Sequence, residues 1–368
     1  MAPILPDLSF VSLRASNGAI VSRIFFTSDN VAPASPEIMA AVAEANSGML
    51  ASYGGDPHSE RLHQVAAEVF ETEVSIFPVS SGTAANSLAL AQIAPPYGAV
   101  YCYEAAHIVT DECGAPEFFT GGAKLIGLPA ADGKIRPEQV AASVAFAREM
   151  GVHHVKPAAV SVTQSTEWGT VYGLAELSAI AAAAKRDRLP LHMDGARFAN
   201  ALVNLGCSPA QATWKSGVDV LSLGATKNGA LCAEAVVFFN REIAADFERR
   251  RKRAGHLWSK MRFLSAQLLA YFHNDLWLRN ARHANSMAAA LAKGLQAVGG
   301  ARLLHSVDAN EIFVALPEKT VAALEGAGFG FYRWPLCALD NAVAIRLVTS
   351  YATRGADVEA LVSAARLA

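Results

Sequence analysis

The sequence predicts an α/β fold: a large domain built on a mainly parallel sheet covered by helices on both faces, then a smaller α/β C-terminal domain. Three observations carry this. From residue 76 onward, short apolar runs alternate with helix-patterned stretches, the mark of strand–helix–strand units. Of 368 residues, 52% are hydrophobic and 17% charged, which excludes disorder and requires extensive burial. After Asn240 the alternation breaks at a charged run, REIAADFERRRKR, and a different mixture of elements follows.

In chain order, IFPVSS feeds GTAANSLALAQIA, a strand leading into a helix. AVYCY and AKLIGLPA read as further strands. RPEQVAASVAFAREM reads as a helix with Pro137 near its start, where the missing N–H costs nothing. PAAVSVTQ (157–164) and LPLHMDG (189–195) flank LAELSAIAAAAKRD as a strand–helix–strand unit, and VDVLSLG and AEAVVFF add two more strands. KMRFLSAQLLAYF opens a long helical region through about residue 298. Beyond it, ARLLHSV, EIFVAL and AVAIRLV alternate with the helices KTVAALEGA and DVEALVSAARL. The expected division is an N-terminal arm over 1–24, a large domain over 25–250, and linking helices plus the small domain over 251–368. The abundant alanine suits tightly packed helices.

Charge and cysteine narrow the function classes. The 33 acidic and 31 basic residues nearly cancel, so charge predicts neither nucleic-acid nor membrane attraction. Five cysteines, Cys102, Cys113, Cys207, Cys232 and Cys337, are scattered with no zinc-like spacing, so no metal is expected and a reducing compartment, the cytoplasm, is. No apolar run approaches the roughly 20 residues a bilayer span needs, and the opening stretch is a poor secretory signal.

The chemistry starts at SLGATKNGA, where a strand runs into small residues with Lys227 among them. Lysine seldom sits in such surroundings without a partner or a task. LHMDGAR places Asp194 and Arg197 just beyond another strand's carboxyl end, and open parallel sheets bind ligands outside those ends. SSGTAANS follows a strand and opens a helix, so Gly82 and Thr83 offer an anion cradle suited to phosphate. Singly, each feature is more often structural than catalytic. A lysine able to form a Schiff base, a carboxylate to hold a pyridine nitrogen protonated and a phosphate anchor together match pyridoxal 5'-phosphate. The lysine must react as the neutral amine, which burial favours.

The motifs FTSDN, YGGD, SSGTAANSLAL, AAHIVTDECGAPEFF, LHMDGARFANA and SLGATKNGA occur in the order seen in the low-specificity L-threonine aldolases. The chain resembles in particular the bacterial branch that includes phenylserine aldolase. The resemblance runs from about Phe25 to the C-terminus and implies the PLP-dependent type I fold with a seven-stranded large-domain sheet. It implies Lys227 as Schiff-base lysine, Asp194 at the pyridine nitrogen, His107 stacked on the ring and able to relay protons, and Gly82 and Thr83 at the phosphate. Arg197 is implied at the phenolic oxygen and the substrate carboxylate, with Ser28 and Arg346 as further carboxylate grips. Lys252 and Arg262 are implied at a cofactor phosphate, one of them in an adjacent subunit. Tyr53 is implied near the substrate across a subunit interface, in a homotetramer built as a dimer of dimers.

One departure concerns STEWG, where many such aldolases carry Asn-Thr-His, so that Glu167 stands in the histidine's place. A buried glutamate could take the same proton, hold a water, or orient His107. The implied reaction is retro-aldol cleavage of a β-hydroxy-α-amino acid, threonine giving acetaldehyde and phenylserine benzaldehyde, with glycine as coproduct. A β-eliminating lyase or an aminotransferase on a small amino acid is the alternative, since fold does not fix function. A relative without activity is a third reading, disfavoured by the retained lysine, aspartate, histidine and phosphate loop.

Overall fold

In the computed structural model, residues 24–335 and 342–368 are described. The expected arm over 1–24 lies almost wholly outside them, as does Cys337. The chain forms two compact units, Ala34–Arg279 and Asn280–Ala368, the latter joined by the segment ending at Pro33.

The larger unit is organised by a seven-stranded sheet. Its spatial order is Ser75–Val79, Glu234–Phe238, Val220–Leu223, Leu191–Gly195, Lys156–Thr163, Gly98–Tyr103, Lys124–Leu128. Glu234–Phe238 runs antiparallel to both neighbours and every other adjacent pair is parallel, so the mainly parallel expectation holds. The central strands read as unbroken apolar runs because they are buried along their length: Val220–Leu223, Leu191–Gly195 and Glu234–Phe238 have no exposed position.

The helix Gly82–Ile93 is buried from Ala84 through Ala91, all the way round. Its alanines let it approach the sheet closely, and Ala84, Ala85, Leu88 and Ala89 pack with Phe77, Val79, Val220, Val236 and Phe238. A large buried side chain such as Phe238 contributes about 1.5–3 kcal/mol by leaving water. That packing fixes the first turn of the helix relative to the strand ends. Pro137 occupies the first turn of the helix Pro137–Met150 as expected.

The smaller unit carries a four-stranded antiparallel sheet in which Glu311–Pro317 pairs with both Ala342–Val348 and Arg302–Leu303. ARLLHSV therefore contributes only two strand residues. Ile24–Phe25 pairs in parallel with Phe329–Gly330, and Phe26 joins a core with Leu291, Leu295, Ile312, Val314 and Leu347. Among the described residues no helix is long and apolar enough to cross a membrane.

Candidate active site

Cross-strand pairing brings the chemistry-bearing residues to one end of the large sheet. Asp194 lies opposite Thr163, the last residue of its strand, on one side and Ser222 on the other, and both Asp194 and Ser222 stand one residue before their own strands finish. Two glycines let the ends of these strands close on each other. A Cβ on Gly224 would stand 2.7 Å from the Cα of Ala196, and one on Gly195 would stand 2.6 Å from Leu221 Cδ1 and 2.8 Å from the Ser222 carbonyl oxygen. The small residues around the lysine thus serve close backbone approach. Gly224→Ala should lower stability by roughly 1–3 kcal/mol, since it faces backbone that cannot yield; a thermal melt matching that of the unsubstituted protein would refute this.

Lys227 rides on the single turn Thr226–Asn228, half-buried. That turn is clamped on both sides. Glu234, a buried carboxylate, accepts the N–H of Ala225 at 2.8 Å and that of Thr226 at 3.4 Å. Asn228 donates to the Tyr271 hydroxyl at 2.9 Å and the Trp277 carbonyl at 2.8 Å, and Tyr271 donates to the Gly224 carbonyl at 3.1 Å. Burial pushes the Glu234 carboxyl up, against the Thr226 and Ala225 hydrogen bonds and the charge of Lys227.

Asp194 is buried, with both oxygens held: Oδ1 accepts from the Ala196 N–H at 2.9 Å and Oδ2 from Asn86 Nδ2 at 2.8 Å. The same Asn86 nitrogen donates to Glu112 Oε1 at 2.8 Å, and that oxygen lies 2.9 Å from His107 Nδ1. Burial opposes protonation of His107, but the Glu112 hydrogen bond and the charge of Asp194 outweigh it, and its pKa is raised; Lys227 pulls the other way. Two residues before Asp194 and on the same strand face, His192 bridges Ser161 (2.8 Å) and Ser222 (2.9 Å). Burial pushes its pKa down to about 4, so it stays neutral and ties three strands together under the aspartate.

Glu167 reaches this cluster from the loop after Lys156–Thr163. Its Oε1 accepts from Thr163 Oγ1 at 2.7 Å and from the backbone N–H of His107 at 3.1 Å, while Oε2 is buried without a hydrogen-bond partner. Burial raises its pKa to about 7 against the Thr163 hydrogen bond, and the charge of Asp194 adds to the rise.

The anion cradle forms where Ser75–Val79 passes into the helix Gly82–Ile93. Ser81 caps the helix, its Oγ accepting from the Ala84 N–H at 3.3 Å. Gly82 and Thr83 occupy the first two helical positions, whose N–H groups have no intrahelical partner. A Cβ on Gly82 would meet nothing within 4 Å, so this turn of the chain is not packed against a neighbour on that side. His256 borders the cradle, its Nδ1 3.1 Å from Ser80 Oγ.

The structure therefore gathers Lys227, Asp194, His107, Glu167, Gly82 and Thr83 at one end of the sheet, with Arg197 half-buried three residues beyond Asp194 at the start of the helix Phe198–Leu205. Lys252 is exposed, with Nζ 4.3 Å from the ring centroid of Tyr53, and Arg262 donates to the carbonyls of Ser47 and Gly48. Among the described residues neither bonds to the cradle within one protomer. Ser28 and Arg346 fall in the smaller unit. There Arg346 Nη2 donates to the carbonyl of Thr27, beside Ser28, and the guanidinium lies 5.2 Å from both the Tyr332 and Trp334 rings. No group of three or more potential metal ligands of the His, Cys, Asp and Glu types occurs among the described residues.

Sequence reasoning missed Asn86, Glu112, His192, Glu234 and His256. Lone polar residues in buried runs were the available signal for three of them: the asparagine of TAANSLAL, the glutamate of AEAVVFF and the histidine of LPLHMDG.

Comparison with known proteins shows the family. Residues 26–319 match the family described as Beta-eliminating lyase. A low specificity L-threonine aldolase of Pseudomonas aeruginosa is 48% identical over 307 residues, covering 83% of this chain and 88% of that protein. A threonine aldolase structure from Leishmania major superposes with a TM-score of 0.87 at 30% identity, covering 93% of this chain and 98% of that one. A structure of SPT with PLP gives a TM-score of 0.64 at 16% identity, covering 94% and 87%, a likeness of fold alone.

Proposed function

The chain belongs to the beta-eliminating lyase family and, within it, to the low-specificity L-threonine aldolases, and on that premise we propose how its residues divide the work. It is a carbon–carbon lyase of the PLP-dependent type I fold. It cleaves L-threonine, L-allo-threonine and related β-hydroxy-α-amino acids, L-phenylserine among the candidates, to glycine and an aldehyde. The observation that carries this reading is the gathering of Lys227, a doubly anchored Asp194 and a helix N-terminus at one end of the sheet. Aldehyde release from L-allo-threonine tests it. Ammonia and a keto acid in place of glycine and aldehyde would favour elimination or amino transfer.

The donor set fits pyridoxal phosphate. Gly82 and Thr83 offer two N–H groups without intrahelical partners that would take the phosphate, and Asp194 is a buried carboxylate that would meet the ring nitrogen. Lys227 would supply the amine that holds the cofactor. Bound there, the group supplies a sink for the electrons released when the Cα–Cβ bond breaks. Everything else falls to the chain's side chains. His107 would contact the bound group. Arg197 would take the substrate carboxylate and so orient the bond to be broken, a contribution worth several kcal/mol; Ser28 and Arg346 are the further carboxylate grips that the family resemblance implies. The flanking Tyr332 and Trp334 rings hold the Arg346 guanidinium for paired donation.

Glu167 is the acceptor for the substrate hydroxyl proton, supported by its buried, unpartnered Oε2 and a pKa raised to about 7. Since the ionised form is required, kcat/KM should rise with pH through about 7. Glu167→Gln should remove that limb and lower kcat by roughly 100- to 10,000-fold. A variant that keeps the limb would leave Glu167 only the task of holding the His107 backbone.

We also assign a homotetramer, a dimer of dimers with shared sites, in which Tyr53 reaches a neighbouring substrate and Lys252 and Arg262 serve a cofactor phosphate. The exposed Met49, Leu50 and Tyr53 support a covered surface there. Mixing inactive Lys227→Ala with inactive Tyr53→Phe protein should restore part of the activity; no recovery would contradict shared sites. The four described cysteines are free, which supports a cytoplasmic location.

A further inference from the structure

A single amide nitrogen joins the two carboxylates nearest His107. Asn86 Nδ2 lies 2.8 Å from Asp194 Oδ2 and 2.8 Å from Glu112 Oε1, and that Glu112 oxygen is 2.9 Å from His107 Nδ1. Asn86, Glu112 and Asp194 are each at most 4% exposed. The opposite amide orientation would aim the Asn86 carbonyl oxygen at two carboxylates, so electrostatics leaves only the observed one. Its two N–H groups are then both spent, one on each carboxylate. Glu112 Oε1 accepts from Asn86 and faces the histidine ring, which requires Nδ1 to carry a proton and leaves Nε2 as the atom that can accept one.

We propose that Glu112 and Asn86 are positioning residues: Glu112 fixes His107 as the Nδ1–H form with Nε2 as its proton-accepting atom, and Asn86 locks that pair to Asp194 as one hydrogen-bonded unit. This rests on the reading of His107 and Asp194 as cofactor contacts, but its core is a property of the chain alone. Without Asn86, two buried carboxylates would face each other with fewer donors, and one would take up a proton. The sign of each effect follows. The Asn86 hydrogen bond favours ionised Glu112, and the Glu112 hydrogen bond favours protonated His107. The charged groups acting on His107 are Glu112, Asp194 and Lys227, and Glu167 holds its backbone N–H.

The test is titration of the His107 ring by NMR in full-length protein carrying labelled histidine, with and without pyridoxal phosphate. A His107→Asn variant identifies the signal. Nitrogen shifts of the unsubstituted protein should report the Nδ1–H form above the midpoint, and an Nε2–H form would overturn the proposal with no variant needed. Glu112→Gln should move the midpoint to lower pH. Asn86→Leu should move it the same way by less, and should have no further effect in the Glu112→Gln background. Unmoved midpoints, or an Asn86→Leu shift of equal size in both backgrounds, would also overturn it. None of these readouts depends on aldehyde release, so failure of this inference and failure of the aldolase reading are separable.

Discussion

Lys227→Ala is expected to abolish aldehyde release, cutting kcat/KM for L-allo-threonine by at least about a thousandfold, or ~4 kcal/mol of barrier. The fold should survive the change. The turn that carries the side chain is held through its neighbours: Glu234 grips the N–H groups of Ala225 and Thr226, and Asn228 is bonded to Tyr271 and Trp277. None of those bonds uses the lysine side chain. The variant should therefore melt near the temperature of the unsubstituted protein and still take up pyridoxal phosphate through the helix N-terminus and Asp194. Dialysis should then remove it, because the covalent link is gone. A Lys227→Ala protein that keeps a tenth or more of the activity would refute the assignment.

Asp194→Asn should be the next most damaging change, costing roughly 100- to 1,000-fold in kcat. Two effects combine. The buried negative charge that would hold the ring nitrogen protonated is lost, and with it the electron sink. The hydrogen bonds also cannot be kept. Both Asp194 oxygens accept from donors, Ala196 N–H on one side and the Asn86 amide on the other. An asparagine offers one acceptor and one donor group, so in either orientation its NH2 faces another N–H. The mismatch should cost about 1–3 kcal/mol of stability. Kinetics at saturating cofactor, together with a thermal melt, would separate the two losses. Near-normal turnover with a normal melt would exclude both.

Much of this was legible because the chemistry-bearing residues sit at strand ends. Asp194 and Lys227 each follow an apolar run that can only be a buried strand, and small residues after such runs mark where the backbone turns closely. Gly82 and Thr83 follow the same logic at the start of a helix. Elements over central strands were readable for the same reason, since uninterrupted apolar stretches bury on both sides. The short pairing of Ile24–Phe25 with Phe329–Gly330 was not, because two residues carry no period. ARLLHSV offered an apolar run but only two residues found a partner.

What escaped was the layer behind the reacting groups. Asn86 lies on a helix buried on all sides, where periodicity singles out no residue and only its polarity within the buried run marks it. Glu112 gains its meaning from His107 and Asn86 meeting it in space. His256 meets Ser80 from 176 positions away, a separation no local pattern reports. Glu234 and His192 are different, because an ionisable residue inside a buried strand is costly and is by itself a signal. The role of Glu167 needed both kinds of knowledge. Its place in the chain flagged it, while its unpartnered oxygen and its hold on the His107 backbone are visible only in three dimensions.

Borohydride reduction of the protein as purified with cofactor, followed by peptide mapping, interrogates the nitrogen on which the chemistry turns. A pyridoxyl group found on the peptide carrying Lys227, and on no other lysine, is the predicted result. A reduced adduct elsewhere, or no adduct on a protein that nevertheless releases aldehyde, would contradict the account.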